Sequence, residues 1–268
     1  MSNFKPYVLM SIIPSGRTNT WNEGGELLRA LVNADARLMP EKVGNHEPLN
    51  IPVHSVEDCE PYWAVRDRPK GTILENNAAN FLWKRARSIK STGYVKHRHC
   101  NIHGEERPGW IIFKSDVDKK INWYEIFRYL CLAFEPVYAT LHIVAIIEQN
   151  SSAYTEEEKS SFGFNDHVMG LPYVALKGRG LANISWANYF GPDLKGEVRQ
   201  PEIRDAKFLV EEIGDGVMLR VTDNLLDVAD DFDEFSRRRN KLRTFFREGT
   251  FRVNREPRLI NSERSDQR

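Results

Sequence analysis

The segment "KHRHCNIHGEE" brings four potential metal ligands close together: His97, His99, Cys100 and His103. Imidazole and thiolate groups are the usual protein ligands of zinc. A structural zinc site normally draws on a second set of ligands at a fixed distance, and no CxxC or HxxxH pair follows this segment. A solvated turn before Pro108 explains the same residues. We therefore predict no bound metal and no cofactor, with a zinc site at these four residues as the alternative.

A second candidate for chemistry is "FKSDVDKK", in which Asp116, Asp118 and Lys120 follow an apolar run. Two carboxylates at the end of a strand can hold Mg²⁺ while a nearby lysine stabilises developing negative charge, as in metal-dependent nucleases. A polar turn between a strand and a helix has the same composition, and we favour the turn. The P-loop, the Gly-x-Ser-x-Gly elbow and HExxH are missing from the sequence. We expect a binding protein and not an enzyme, with a nuclease as the alternative.

The helix predicted from about Asp231 to Arg247 is strongly charged. Acidic residues stand at its start, and arginine and lysine fill its body and end. This order complements the helix dipole, and carboxylates four residues before arginines add favourable pairs. Phe235, Leu242 and Phe246 provide an apolar stripe. An amphipathic helix docked on a core is therefore expected, and a nucleic-acid-binding regulator is the alternative.

The composition limits the class of partner. The chain of 268 residues carries 38 Lys+Arg and 38 Asp+Glu, a balance that does not favour nucleic acid or an anionic membrane as the partner. Its three cysteines are far apart, which is not the pattern of a disulfide framework. The apolar run from Tyr7 to Ile13 is too short to span a bilayer and predicts a first strand. We expect a cytoplasmic protein.

The spacing of apolar residues predicts strands and helices that are interspersed without strict alternation. Strands are expected at 7–13, 110–113 and 137–147, with helices at 21–38 and 122–134. A hairpin is expected around "GDG", and "NNAANFLWKRARSI" has a helix-like composition, with an irregular segment as the alternative. These elements predict an α+β fold: a single domain with a mixed or mainly antiparallel sheet and several packed helices. We assign residues 1–254 to this domain and 255–268 to a polar, flexible tail.

Gly180 to Pro192, "GLANISWANYFGP", combines an aromatic strand with a Gly-Pro stop. A Gly-Leu segment, a tryptophan in a strand and a Tyr-Phe-Gly-Pro turn resemble the bacterial immunity-protein family numbered fifty-two of polymorphic toxin systems. That resemblance implies an antitoxin that binds and neutralises a cognate effector, a restriction-endonuclease-like toxin delivered by a type VI secretion system. Trp186 is expected to pack in the core.

The contact residues for such a toxin are predicted from aromatic and acidic character. Aromatic side chains are enriched at binding hot spots, and an acidic patch suits the basic surface of a nuclease. The resulting candidates for toxin binding are Glu156, Glu157, Glu158, Tyr189, Phe190, Asp227, Asp230 and Asp231. Both acidic groups could equally be solvated helix caps.

Overall fold

The computed structural model describes residues 5–66, 70–72, 74–149, 181, 183–251 and 256. Ten strands form one sheet in the order β11-β12-β10-β9-β1-β8-β5-β4-β2-β3, and every adjacent pair is antiparallel. A separate hairpin holds β6 and β7. The strands are β1 (Tyr7–Pro14), β2 (Lys42–Gly44), β3 (Ile51–Pro52), β4 (Phe81–Arg85), β5 (Ser91–Lys96), β6 (His99–Cys100), β7 (Glu106–Arg107), β8 (Trp110–Asp116), β9 (Pro136–Val144), β10 (Ala187–Phe190), β11 (Leu209–Ile213) and β12 (Gly216–Arg220).

Helices cover both faces of this sheet. The α-helices are α1 (Trp21–Ala34), α2 (Trp123–Phe134), α3 (Ile146–Gln149), α4 (Pro192–Lys195), α5 (Gln200–Asp205), α6 (Asp227–Asp230) and α7 (Phe232–Arg243), and two 3₁₀ segments lie at Ala36–Leu38 and Glu57–Tyr62. Trp123 of α2 packs against Phe113 on one face of the sheet. Phe235 of α7 packs against His142 of β9 on the other face. The α+β class and the antiparallel sheet are confirmed.

Strand β1 lies in the middle of the sheet and is buried along nearly its whole length. It pairs with β8 on one side and β9 on the other, and all its residues from Val8 to Pro14 are buried. A strand covered on both faces is apolar throughout instead of alternating, which is the pattern that predicted it. Asn122 caps α2 by accepting the backbone N–H of Glu125 at 3.3 Å, as its position predicted.

Two glycines allow the close packing of β10 and its surroundings. A Cβ at Gly216 would lie 2.3 Å from the Tyr189 ring, and one at Gly191 would lie 2.3 Å from the carbonyl oxygen of Pro136. Neither position has room for a side chain. The predicted hairpin around "GDG" is confirmed as β11 and β12, with Gly214 at a φ of 54° in the turn.

The helix-like composition of "NNAANFLWKRARSI" was misleading, because its central part is strand β4. Phe81 and Trp83 are buried, while Leu82 and Lys84, which alternate with them, are half-buried. This period of two is the signature of a strand. Pairing with β2 and β5 overrides the helical propensity of the alanine, lysine and arginine residues in and around β4.

Candidate functional site

The histidine-rich segment is divided between separate environments. His97 is 1% exposed, its Nδ1 lies 3.0 Å from Thr18 Oγ1, and its ring meets Trp63 edge-on. Burial lowers the pKa of His97 to about 4. His99 is half-buried with its Nδ1 against the His97 carbonyl oxygen, whereas His103 is exposed. Within the part of the chain that the structure describes, no three His, Cys, Asp or Glu residues are grouped to hold a metal ion.

The carboxylates of the nuclease alternative are each held by a cation. Lys5 Nζ lies 3.0 Å from Asp116, and Arg37 Nη1 lies 3.0 Å from Asp118. The second Asp118 oxygen accepts the backbone N–H of Lys120 at 2.8 Å, which closes the turn before α2. The Lys120 side chain is exposed. It borders a groove between α1 and α2 that neither Asp116 nor Asp118 lines. These contacts are those of a structural turn.

A buried ionic network joins residues that are far apart in sequence. Arg239 of α7 is 1% exposed and contacts Glu148 at 2.8 Å and Glu256 at 2.7 Å. His142 Nδ1 accepts the backbone N–H of Trp186 at 3.1 Å, so its proton is on Nε2, which donates to Glu148 at 2.7 Å. Burial alone raises the pKa of Glu148, but the charge of Arg239 and the hydrogen bonds from Arg239 and His142 lower it to about 2. The network fastens α3 and α7 to the sheet.

Glu256 belongs to the stretch that the sequence predicted as a flexible tail. It contacts both Arg239 and Arg243, the latter at 2.6 Å. These contacts hold position 256 against α7.

The aromatic residues of the segment "GLANISWANYFGP" are core residues. Trp186 is 1% exposed, as expected, and its indole N–H donates to Thr222 at 3.0 Å. Tyr189 is 2% exposed and Phe190 is 1% exposed, and Phe190 stacks on Phe246. Two rings so deeply buried offer almost no surface to a partner, so we place neither among the principal contact residues. Alternation along β10 sends them to opposite faces, and β10 is buried on both, which the sequence alone does not reveal.

The acidic residues that were predicted to contact a toxin have different environments. Glu156, Glu157 and Glu158 lie outside the described residues. Asp227 is half-buried at the start of α6, Asp230 pairs with Lys119 at 3.3 Å, and Asp231 caps α7 through the backbone N–H of Glu234. The cap and the ion pair give two of these carboxylates a structural role.

A surface that the sequence did not single out lies where α2 meets the hairpin of β11 and β12. Tyr129 and Leu132 of α2 are 46% and 43% exposed, and a Cβ built on Gly214 would come within 4.0 Å of Leu132. Glu135, just after α2, and Asp215, in the hairpin turn, border a cavity of about 130 Å³. We call Tyr129, Leu132, Glu135 and Asp215 the α2–hairpin surface. The sequence did contain a signal for this surface, because apolar residues occupy positions of α2 that face solvent.

The cavity also connects this surface to the segment "GLANISWANYFGP". Tyr189 forms part of its wall, and Pro192 and Asp193, at the start of α4, form its rim. Thus the Gly-Pro turn that follows the aromatic strand reaches the surface even though the rings before it are buried. On the other side of Tyr129, a groove of about 530 Å³ runs between α1 and α2.

No protein-family model and no curated protein matches the chain. Among solved structures, the chain is similar to one described as Pseudomonas aeruginosa T6SS protein PA0821, with 12% identity and a TM-score of 0.49. The similarity covers 81% of this chain and 68% of that chain. A likeness of this size carries no argument about function. None of the described helices has the length and apolar character needed to cross a membrane.

Proposed function

We propose that the chain is an immunity protein, which binds and neutralises a cognate effector toxin of a type VI secretion system. The proposal begins with the resemblance of Gly180–Pro192 to an immunity family. The observation that carries it further is the α2–hairpin surface, where an aromatic and an aliphatic side chain are exposed beside carboxylates. An inhibitor that works by binding needs such a surface more than it needs a reactive group.

The polar groups that resemble catalytic residues support the same proposal through their contacts. The Asp116 and Asp118 carboxylates are engaged by Lys5 and Arg37, and the Glu148 carboxylate is engaged by His142 and Arg239. Charges used in this way hold elements together. A rigid scaffold of this kind suits an inhibitor, because little conformational entropy is lost when it binds.

The proposal is tested with the protein encoded by the reading frame adjacent to the gene, which the proposal predicts to be the cognate toxin. The purified chain should bind this toxin with a dissociation constant in the nanomolar range or below, which corresponds to about −12 kcal/mol. Coexpression should restore growth to cells that produce the toxin. A toxin that neither binds the chain nor loses toxicity in its presence would overturn the proposal.

A further inference from the structure

We infer that the α2–hairpin surface is the toxin-docking surface, and that the protein it binds presents a basic surface with an apolar contact at its centre. This inference rests on the proposed function and adds both the location of the interface and the chemistry of the partner. It is carried by the exposure of two apolar side chains, the rigidity of the helix that bears them and the charge around them.

The apolar centre of the surface consists of Tyr129 and Leu132. They are three residues apart on α2 and therefore neighbours on the same face of the helix. The opposite face already supplies the core, with Ile126, Phe127 and Leu130 all buried. Among the described residues, Ile102 is the one other exposed large hydrophobic residue, at 73%, and it lies in the loop between β6 and β7. The exposed pair on α2 is thus additional to what packing requires.

The helix is held firmly enough to present this pair in a fixed geometry. Glu211 of β11 accepts hydrogen bonds from the Tyr124 hydroxyl at 2.6 Å and from Arg128 Nε at 2.7 Å. On the α1 side, the Tyr129 hydroxyl donates to Glu26, and this bond raises the pKa of Tyr129. A side chain already held in its binding position loses less entropy on association.

The charge around the apolar pair is mainly negative. Glu125, Glu135, Asp193 and Asp215 are exposed, and none of them forms an ion pair with another described residue. The nearby cations Arg29 and Arg128 are already paired, with Glu57 and Glu211 respectively. Lys120, at the far end of the groove between α1 and α2, is an exposed exception.

This charge pattern selects the kind of partner. Carboxylates around an apolar centre attract lysine and arginine side chains and repel an anionic lipid surface. A toxin that acts on a nucleic acid needs a basic surface to hold phosphate groups. The α2–hairpin surface is therefore suited to cover the basic, substrate-holding face of such a toxin, which would block access of the nucleic acid.

The apolar part of the inference is tested by Leu132→Lys with Ile102→Lys as the matched control. Both substitutions add the same charge at an exposed aliphatic position, so neither should unfold the protein, which circular dichroism verifies. We expect Leu132→Lys to weaken binding to the toxin encoded by the adjacent reading frame by about 30-fold or more, which is the range of a hot-spot residue. Ile102→Lys should bind like the wild type.

The electrostatic part is tested by Glu135→Lys/Asp215→Lys, with Glu60→Lys/Glu248→Lys as the control at two other exposed carboxylates. Both pairs change the net charge equally. We expect the first pair to slow association by about 10-fold or more at low salt and to reduce the salt dependence of the association rate. The control should have a much smaller effect.

A photo-crosslinking residue placed at position 132 provides evidence that does not depend on the stability of any charge variant. It should form a covalent adduct with the toxin, whereas the same residue at position 102 should not. If the wild type binds and protects but all these variants behave alike and position 132 gives no adduct, the docking surface is wrong and the immunity function stands. If the wild type neither binds nor protects, the proposed function fails, and the docking inference fails with it.

Discussion

His97 illustrates how a residue that resembles a metal ligand can instead act as a buried structural group. Its neutral ring is enclosed by Trp63 and hydrogen-bonded at Nδ1 to Thr18, whose carbonyl oxygen also accepts the Trp63 indole N–H at 2.9 Å. The side chain thereby joins the segment after β1 to the end of β5. The cost is that burial disfavours the charged form of the ring, so the ring gains a proton less readily than in water.

This arrangement predicts a pH dependence of stability. The pKa of His97 is lowered from 6.5 to about 4, so between these values the unfolded chain binds a proton that the folded chain does not. The free energy of unfolding should therefore fall as the pH decreases from about 7 to about 4, by roughly 3 kcal/mol from this residue. Urea unfolding at a series of pH values measures it.

The test variant is His97→Gln, which can keep a hydrogen bond to Thr18 but cannot titrate. It should be less stable than the wild type at pH 7 and should lose less stability on acidification. His103→Gln is the control, because the His103 side chain is exposed. Parallel pH curves for the wild type and His97→Gln would contradict the prediction.

At the scale of elements, the packing of β10 against β12 shapes both the core and the cavity at the proposed interface. Tyr189 of β10 lies opposite Met218 of β12 and fills the space above Gly216. Its ring also forms part of the cavity beside Glu135 and Asp215. The close approach of β12 to the Tyr189 ring therefore depends on a glycine at the first residue of β12.

We predict that Gly216→Ala destabilises the protein by about 1–3 kcal/mol, since its new methyl group would meet the Tyr189 ring and the Phe190 carbonyl oxygen. Gly196→Ala is the matched control, because no atom lies within 4 Å of a Cβ at Gly196. That substitution should leave stability unchanged or raise it slightly. Thermal and urea unfolding of the two variants measure the difference, and equal stability would contradict the predicted clash.

For the whole molecule, the question is whether the chain binds a toxin or catalyses a reaction itself. We predict that the purified protein does not cleave plasmid DNA or RNA in Mg²⁺ or Mn²⁺, because Asp116 and Asp118 are engaged by Lys5 and Arg37. Gel electrophoresis after incubation measures this. Cleavage by the wild type that disappears in Asp118→Ala would instead favour the metal-dependent nuclease.

The sequence by itself determined the features that depend on neighbouring residues. The apolar run of β1, the Asn122 cap of α2 and the "GDG" turn follow from local periodicity and backbone preference, and together they predict an α+β fold. Only the tertiary structure decided which polar groups are buried and which apolar groups are exposed. Arg239 reaches Glu148 across 91 positions of sequence, and Leu132 remains exposed beside a hairpin more than 80 residues later. Burial depends on which surfaces the folded chain brings together, and spacing along the sequence does not contain that information.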